Sequence, residues 1–272
     1  MDKINVIKVG GAVVEDATSL KQLINQFATM PGYKVLVHGG GRSATRIAAQ
    51  LGIESQMIGG RRVTDESMLQ VVTMVYGGLV NKRIVAALQA EGVNAVGLTG
   101  ADMDIIRSHK REPKMVTMDD GTQQMVDFGF VGDVDSANGK RLTALIKPIE
   151  GVEAVVPVVA PLTHDGKGNI LNTNADTTIA SETAKALSAK FDTTLVYCFE
   201  KKGVLYNPDD DDSVIPTINT ESYAQLKQDG IVSGGMIPKL DNAFDSLNEG
   251  VKRVVITHFT DIEAKRGTII EK

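Results

Sequence analysis

The sequence predicts an α/β protein in which helices cover both faces of a mainly parallel sheet. Short β-branched runs are followed by long helical patterns, and this alternation returns along the chain. Three such pairs lie at residues 4–9 and 19–30, 34–37 and 42–51, and 193–199 and 220–227. Two parallel neighbours need a crossover between them, usually a helix, so this order favours a parallel sheet.

The next element is a long amphipathic stretch at residues 65–91. Its apolar residues recur at helical spacing, which predicts one long helix, or two abutting helices broken near Gly77 and Gly78. Thr64 and Asp65 are both suitable N-cap residues for its first turn. We expect this helix to belong to the core.

The helical period disappears between residues 102 and 135. Short alternating segments at residues 114–118 and 124–130 lie between turn-forming residues, a pattern that predicts β-hairpins. The sequence therefore predicts a β-rich excursion beside a pocket.

A helix at residues 140–149 and a strand at 154–159 complete the first part of the chain. The turn-rich stretch 161–169 follows, and its Pro, Asp, Gly and Asn residues predict a hinge. We accordingly divide the chain into two lobes, residues 1–165 and 166–272.

Composition excludes several classes of function. The 272 residues include 34 acidic and 29 basic side chains, a net charge of −5, without the long basic cluster that nucleic acid or anionic lipid requires. Cys198 is the single cysteine, which excludes a disulfide framework and a thiolate metal site. Glycines occur so close to the N-terminus that this segment does not have the pattern of a signal peptide. No run in the sequence reaches the roughly 20 apolar residues of a membrane helix. We expect a cytoplasmic protein that binds neither membrane nor nucleic acid.

Two lysines in glycine-rich surroundings carry the strongest chemical signal. Lys8 ends an apolar strand and is followed by Gly10 and Gly11, and Lys239 follows the Gly-Gly-Met-Ile-Pro run that starts at residue 234. Glycine loops expose backbone N–H groups to anions, and ammonium groups neutralise a phosphoryl group in flight. The combination predicts an enzyme that uses ATP.

A glycine triplet follows the strand at residues 34–37. His38-Gly39-Gly40-Gly41 stands between that strand and a helix, an arrangement that presents N–H groups to an anion. The chain contains neither the dinucleotide fingerprint nor the P-loop motif. The sequence therefore gives no motif support for a nicotinamide cofactor or for P-loop chemistry.

Two polar segments complete the set of candidate site residues. Arg61 and Arg62 follow a glycine pair and precede a helix, where one of them can hold a carboxylate bidentately; the residues alone leave both open. The second segment contains three polar side chains, Asn172, Asn174 and Asp176, which is more than a helix N-cap requires. An aspartate near two lysines can orient their ammonium groups.

These segments, in this order, resemble the amino-acid kinase family, and within it the acetylglutamate kinases, over essentially the whole chain. The matching segments are residues 8–11, 38–41, 62–64, 172–176 and 235–239. The resemblance implies an open three-layer αβα sandwich, the fold shared with carbamate kinase. Its first lobe would hold an N-acylated amino acid and its second lobe MgATP. The implied reaction is transfer of the γ-phosphoryl group to the side-chain carboxylate of N-acetyl-L-glutamate in arginine biosynthesis.

The resemblance also implies a role for each matching residue. Lys8 and Lys239 would stabilise the transferring phosphoryl group, and Asp176 would hold both lysines. The implied substrate contacts are Gly40, Gly41, Arg62, Asn172 and Asn174. The implied phosphate and nucleotide contacts are Gly10, Gly11, Glu200, Gly203, Leu205 and Ser233. No protein ligand to Mg²⁺ is expected, because the nucleotide phosphates would hold the metal.

The chain departs from the family pattern in ways that leave alternatives open. The segment at residues 198–203 replaces an aspartate-containing strand end, so contacts of Glu200, Lys201 and Lys202 to nucleotide stay open. The segment at 98–104 lacks the family's Gly-Lys-Asp-Gly-Gly run near the acyl group, so N-succinyl-L-glutamate is a second substrate hypothesis. Other amino-acid kinases and a catalytically silent sensor are further alternatives. Three residues precede Ile4, which favours a homodimer without arginine feedback over the larger assemblies of arginine-inhibited relatives.

Overall fold

The computed structural model describes residues 1–118, 121–147, 153–263 and 266–272, apart from the side chains of Asp176 and Thr177. Strands alternate with helices along the described chain. The strands are β1 Lys3–Val9, β2 Tyr33–His38, β3 Met57–Ile58, β4 Arg61–Arg62, β5 Ala95–Leu98, β6 Ile106–Lys110, β7 Lys114–Thr117, β8 Gln123–Val126, β9 Gly132–Ala137, β10 Val156–Val159, β11 Leu162–His164, β12 Ile170–Asn172, β13 Asp192–Phe199, β14 Thr217–Ile218, β15 Arg253–His258 and β16 Thr268–Ile270. The α-helices are α1 Gly11–Glu15, α2 Ala17–Thr29, α3 Gly41–Gln50, α4 Glu66–Val72, α5 Asn81–Ala90, α6 Gly139–Ile146, α7 Ser181–Ser188, α8 Thr220–Gln228 and α9 Met236–Asn248.

The central sheet has eight strands in the order β14-β16-β15-β13-β1-β2-β10-β5. Every neighbouring pair is parallel except β15 and β16, which run antiparallel. A second sheet, in the order β12-β11-β6-β9, and two hairpins, β3-β4 and β7-β8, lie outside it. The predicted hairpins at 114–118 and 124–130 correspond to the single antiparallel pair β7-β8.

Helices cover both faces of the central sheet. Alternate residues of β1 enter different cores: Ile7 and Val9 pack with α1–α5, whereas Ile4 and Val6 pack with α6–α9. A parallel strand buried on both faces needs this run of β-branched and aliphatic residues. The predicted αβα sandwich is confirmed.

The predicted long helix at residues 65–91 is continuous from Glu66 to Ala90. α4 passes into a π-helical segment, Thr73–Val80, which contains Gly77 and Gly78, and then into α5. Asp65 caps the first turn, because its carboxylate accepts a hydrogen bond from Met68 N at 2.7 Å. By length and composition this run, alone among the described residues, could cross a membrane, so the expectation that no such run exists is wrong; one face of the helix packs in the core against the sheet.

The predicted hinge at residues 161–169 differs from the structure. Its first residues form β11, and the chain then turns back into β12 as an antiparallel hairpin of the second sheet. The turn chemistry was identified correctly, but the strands on either side of it are only three residues long and carry little pattern of their own. The predicted helix at 140–149 begins at Gly139 and ends at Ile146; residues 148 and 149 lie outside the described residues.

One charged side chain stabilises the end of α2. Lys34, in β2, is 7% exposed, and its Nζ donates to the carbonyls of Phe27 at 2.6 Å, Ala28 at 3.1 Å and Met30 at 2.8 Å. These carbonyls have no partner inside the helix, and a cation at a helix C-terminus also interacts favourably with the helix dipole. Burial lowers the pKa of Lys34.

Candidate active site

A cavity of about 340 Å³ opens at the carboxyl ends of β1 and β13. The two strands are neighbours, yet the chain leaves β1 for helices on one face of the sheet and leaves β13 for helices on the other. Open α/β sheets hold their ligands at such a switch point. The described lining residues are Lys8, Gly10, Gly11, Ala12, Val13, Gly41, Arg42, Phe199, Glu200 and Lys239.

The two lysines reach this cavity from opposite ends of the chain. Lys8 lies in β1 and is 4% exposed, whereas Lys239 lies in the first turn of α9 and is half-buried. Both approach one aromatic ring: Nζ of Lys239 is 4.1 Å from the ring centroid of Phe199, and Nζ of Lys8 is 5.4 Å from it. The site thus gathers two positive charges at the end of the sheet.

Two glycine turns abut beside the lysines. A Cβ atom added to Gly39 would lie 3.4 Å from Gly11 N, and one added to Gly11 would lie 3.7 Å from Gly40 N and 3.8 Å from Gly41 N. Side chains at these positions would contact the backbone nitrogens of the neighbouring turn. Gly40 is the most restricted, because its Cβ would meet the Tyr76 ring at 2.9 Å. These abutting backbone N–H groups are the candidate anion cradle of the site.

A buried polar pair supports the second glycine turn. His38 is fully buried; its Nδ1 lies 2.8 Å from Gly39 O, and its Nε2 lies 3.0 Å from Asn81 Nδ2. A carbonyl only accepts and an amide nitrogen only donates, so these partners assign the neutral Nδ1–H tautomer. Burial lowers the pKa of His38 to about 4, which keeps the ring neutral. Asn81 also donates to Val158 O at 2.9 Å.

A carboxylate lies at the N-terminus of α3, next to the same turn. Glu15 Oε1 accepts a hydrogen bond from Ser43 N at 2.6 Å, which links the end of α1 to the helix that follows the glycine triplet. An anion at a helix N-terminus stabilises the unpaired N–H groups there. Glu15 therefore fixes the two glycine-bearing segments relative to each other.

The candidate substrate residues form a second group beside the cavity. Arg62 Nη2 donates to Gly41 O and to Thr45 Oγ1, both at 2.9 Å, and its Nη1 contacts Ser55 Oγ. Asn172 is 7% exposed and donates from Nδ2 to Thr64 Oγ1 at 2.9 Å.

The tertiary structure thereby brings two predicted segments, 62–64 and 172–176, next to each other and to the glycine turn. Both arginines lie in the short strand β4, where Arg61 is exposed and Arg62 is half-buried, so burial distinguishes them independently of the family resemblance.

Other predicted residues are not among the described lining residues of the cavity. Asn174 and Ser233 are exposed, and the Asp176 side chain is outside the described residues. Gly203 and Leu205 are buried; a Cβ on Gly203 would meet Thr268 Oγ1 at 2.7 Å, so packing against β16 accounts for this glycine.

The two lysines that follow Glu200 form ion pairs with the acidic loop. Lys201 Nζ lies 2.8 Å from Asp211 Oδ1, and Lys202 Nζ lies 2.5 Å from Asp212 Oδ1. Of the three residues whose nucleotide contacts the sequence left open, Glu200 is the one that lines the cavity.

Sequence reasoning missed Ala12, Arg42, Glu15 and Phe199 as parts of the site. Ala12 and Arg42 each follow a glycine turn, so their positions beside the predicted cradle were a usable signal. Phe199 ends the strand β13, at the sheet edge where ligands bind, and this position was also visible in the sequence. Glu15 acts through Ser43, and only the packing of α1 against α3 shows that contact.

Comparison with known proteins assigns the family. The model of the amino acid kinase family matches residues 3–258, so the chain belongs to this family. Acetylglutamate kinase from Bacteroides thetaiotaomicron is 61% identical over 271 residues, covering 100% of this chain and 99% of that protein. Acetylglutamate kinase from Phocaeicola vulgatus is 59% identical with the same coverage. The crystal structure of smu.665 from Streptococcus mutans is similar with a TM-score of 0.72 and 27% identity, covering 98% of each chain.

Proposed function

We propose that this protein transfers the γ-phosphoryl group of ATP to the side-chain carboxylate of N-acetyl-L-glutamate, giving N-acetylglutamyl 5-phosphate and ADP in arginine biosynthesis. The observation that carries the proposal is the convergence of Lys8 and Lys239 with Gly10 and Gly11 on one cavity. The names of the relatives supply the substrate. They do not favour the succinylated substrate, another branch of the family or a silent sensor.

The reaction requires positioning and charge neutralisation more than acid–base chemistry. A side-chain oxygen of the substrate attacks the γ-phosphorus, the bond from phosphorus to the β–γ bridging oxygen breaks, and ADP leaves with that electron pair. A glutamate side chain has a pKa of about 4.3, so the nucleophile is already ionised near pH 7 and no catalytic base is needed.

The lysines and the glycine amides act on the transferring group. Lys8 and Lys239 offset its negative charge from two sides of the cavity, and the amides of Gly10, Gly11 and Gly41 receive its oxygens. These interactions strengthen as charge develops, which lowers the barrier rather than merely tightening binding. We assign Asp176 to the orientation of both lysines, as in the family pattern.

The acetylated amino acid would bind between the glycine turn and the second sheet. Arg62 offers a planar guanidinium for a carboxylate, and Gly40 and Gly41 lie beside it. Asn172 and Asn174 would hold the α-substituent. On the nucleotide side we assign contacts to Glu200 and Ser233 and to the backbone of Gly203 and Leu205.

The chain fits MgATP as its second substrate. The cradle that Cβ atoms on Gly11 and Gly39 would obstruct has room for phosphate oxygens because both are glycines. Mg²⁺ supplies charge neutralisation at the β- and γ-phosphates, which would provide its ligands. We propose the cytoplasm, where ATP and acylated amino acids occur, as the compartment.

The deciding assay is MgATP-dependent ADP release with hydroxylamine trapping of the acyl phosphate. N-acetyl-L-glutamate, N-succinyl-L-glutamate, glutamate and aspartate are compared at equal concentration, and we expect turnover with the acetylated substrate. Equal or faster turnover with N-succinyl-L-glutamate would reassign the acyl group, and silence with all four would reject the proposal.

A variant pair tests the lysines directly. Lys8→Ala and Lys239→Ala should each lower kcat by about a hundred-fold or more, the scale seen when one group stabilising transition-state charge is removed. The control is Lys227→Ala, because Lys227 also lies over an aromatic ring, 5.0 Å from the Tyr223 centroid, but sits in α8 outside the cavity. Near-normal activity in both cavity variants would contradict the mechanism.

We further propose that the protein is a homodimer through the outer face of the Glu66–Ala90 helix. Met74 and Leu79 on this helix are 54% and 46% exposed, an unusual position for two large apolar side chains in the middle of a core helix. A second cavity, about 500 Å³ and lined by Leu69, Met74, Phe130 and Ile170 among others, continues this apolar surface. A second copy of the same face would cover it symmetrically.

Light scattering tests the dimer. Met74→Asp and Leu79→Asp together should give a monomer at micromolar concentration, because two buried carboxylates oppose association. Met125→Asp, at a 58% exposed methionine in β8, is the matched control and should stay dimeric. A monomeric native protein would refute the proposal.

A further inference from the structure

The ammonium groups of Lys8 and Lys239 both lie close to the aromatic ring of Phe199. The Lys239 Nζ distance of 4.1 Å and the Lys8 Nζ distance of 5.4 Å to the ring centroid both fall within the roughly 6 Å range of a cation–π contact. All three side chains line the same cavity. One ring therefore serves two cations that come from β1 and α9.

The backbone and a neighbouring ring hold Phe199 in place. It is the last residue of β13, which is hydrogen-bonded between β1 and β15, and its carbonyl accepts from Phe259 N at 3.0 Å. Its ring stacks with that of Tyr197, with a centroid separation of 6.4 Å and an interplanar angle of 14°, and Tyr197 is fully buried. The ring is thus a fixed platform rather than a mobile side chain.

An aromatic ring suits this position for an electrostatic reason. Two ammonium groups brought into one cavity repel each other, and water that would screen them is displaced as substrates bind. The negative face of a ring attracts both cations without adding net negative charge.

We propose that Phe199 is a positioning residue that holds Lys8 and Lys239 at the phosphoryl-transfer cavity through its π-face. This inference rests on the proposed function of the two lysines. Weakening the ring's π-face should lower kcat, since the lysines act on the transferring group, and should leave KM for N-acetyl-L-glutamate nearly unchanged.

Fluorinated phenylalanines provide the test, because each added fluorine weakens the π-face while the ring keeps nearly the same shape. Phenylalanine analogues with one, two and three fluorines are incorporated at position 199, and Phe199→Leu removes the ring. We expect kcat to fall progressively with fluorination, reaching a total loss of about two- to thirty-fold.

The matched control is the same series at Phe191. A lysine also lies over this ring, with Lys147 Nζ 5.3 Å from the centroid. Phe191 precedes the opposite end of β13, so fluorination there should leave kcat unchanged. Equal kcat across the fluorinated series at position 199, with a loss only in Phe199→Leu, would show that the ring merely fills space and would overturn the proposal.

A second measurement is independent of activity. Lysine labelled with ¹³C at Cε is observed by NMR, and Lys8→Arg and Lys239→Arg assign the two signals. Protons above a ring face are shifted upfield, so both signals should move downfield in Phe199→Leu and stay in place in Phe191→Leu.

The two measurements distinguish a failure of the inference about Phe199 from a failure of the proposed function. Unshifted signals in the native protein would overturn the role of Phe199, whatever the enzyme's substrate. Shifted signals in a protein that phosphorylates none of the four candidate substrates would uphold the lysine–ring contact and reject the proposed function instead.

Discussion

Acid should destabilise this protein through His38. Its side chain is fully buried, and desolvation lowers its pKa to about 4, with a smaller contribution in the same direction from the charge of Lys82 and an opposing one from the hydrogen bond to Gly39. In the unfolded chain the pKa returns to about 6.5. The two states therefore bind different numbers of protons between these values.

Proton linkage gives the direction and the size of this change in stability. Above pH 6.5 the ring is neutral in both states and contributes no pH dependence. As the pH falls below 6.5, the unfolded state gains a proton that the folded state excludes, so stability is lost. The pKa difference of about 2.5 units corresponds to about 3 kcal/mol once the pH is below 4, and about 2 kcal/mol is already lost at pH 5.

Urea unfolding followed by circular dichroism measures this loss, at one protein concentration, in the native protein and in His38→Gln. We expect the native protein to lose about 2 kcal/mol more than the variant between pH 7.5 and pH 5. Equal losses in the two proteins would refute the reasoning. If the variant does not fold, imidazole ¹⁵N shifts of the native protein decide the question, because a His38 ring that titrates near pH 6.5 would contradict its burial as a neutral group.

Three further substitutions have effects that the contacts specify. Gly40→Ala should cost about 1–3 kcal/mol in thermal unfolding and lower kcat, because its Cβ would overlap the Tyr76 ring; unchanged kcat would contradict the cradle. Lys34→Met should cost about 2–4 kcal/mol by leaving three carbonyls of α2 without their donor, with little change in KM; a thermally unchanged variant would contradict this cap. Asn219→Ala breaks the capping box with Ser222 at the start of α8 and should cost about 1 kcal/mol in urea unfolding with activity intact. A stability equal to that of the native protein would show that the box contributes nothing.

Much of the fold was accessible from local pattern. The strands at residues 4–9 and 193–199 and the helices at 42–51 and 220–227 were each predicted within two residues of their observed bounds, because β-branched runs and helical periods are properties of neighbouring residues. The hairpin β11-β12 was read as a hinge. β11 is a strand because it pairs with β6, which lies far away in sequence, and β12 is a strand because it pairs with β11.

The candidate site was likewise only partly predictable from local sequence patterns. The glycine turns and the two lysines were recognisable because each belongs to a short motif of consecutive residues. The contacts of His38 with Asn81, of Glu15 with Ser43 and of Phe199 with both lysines were not, because each joins residues that only the packed sheet brings together.

The sequence by itself determined the fold class and the family of this protein and predicted its candidate reactive groups. Periodicity predicts the elements, and lysines beside glycine turns suit the binding of a phosphoryl group. The tertiary structure alone decided which neighbours tune those groups. It packs Gly203 against Thr268 and places one phenylalanine ring beside two ammonium groups. The physical reason is that burial and electrostatic environment depend on three-dimensional neighbours, which the order of residues specifies only through the complete fold.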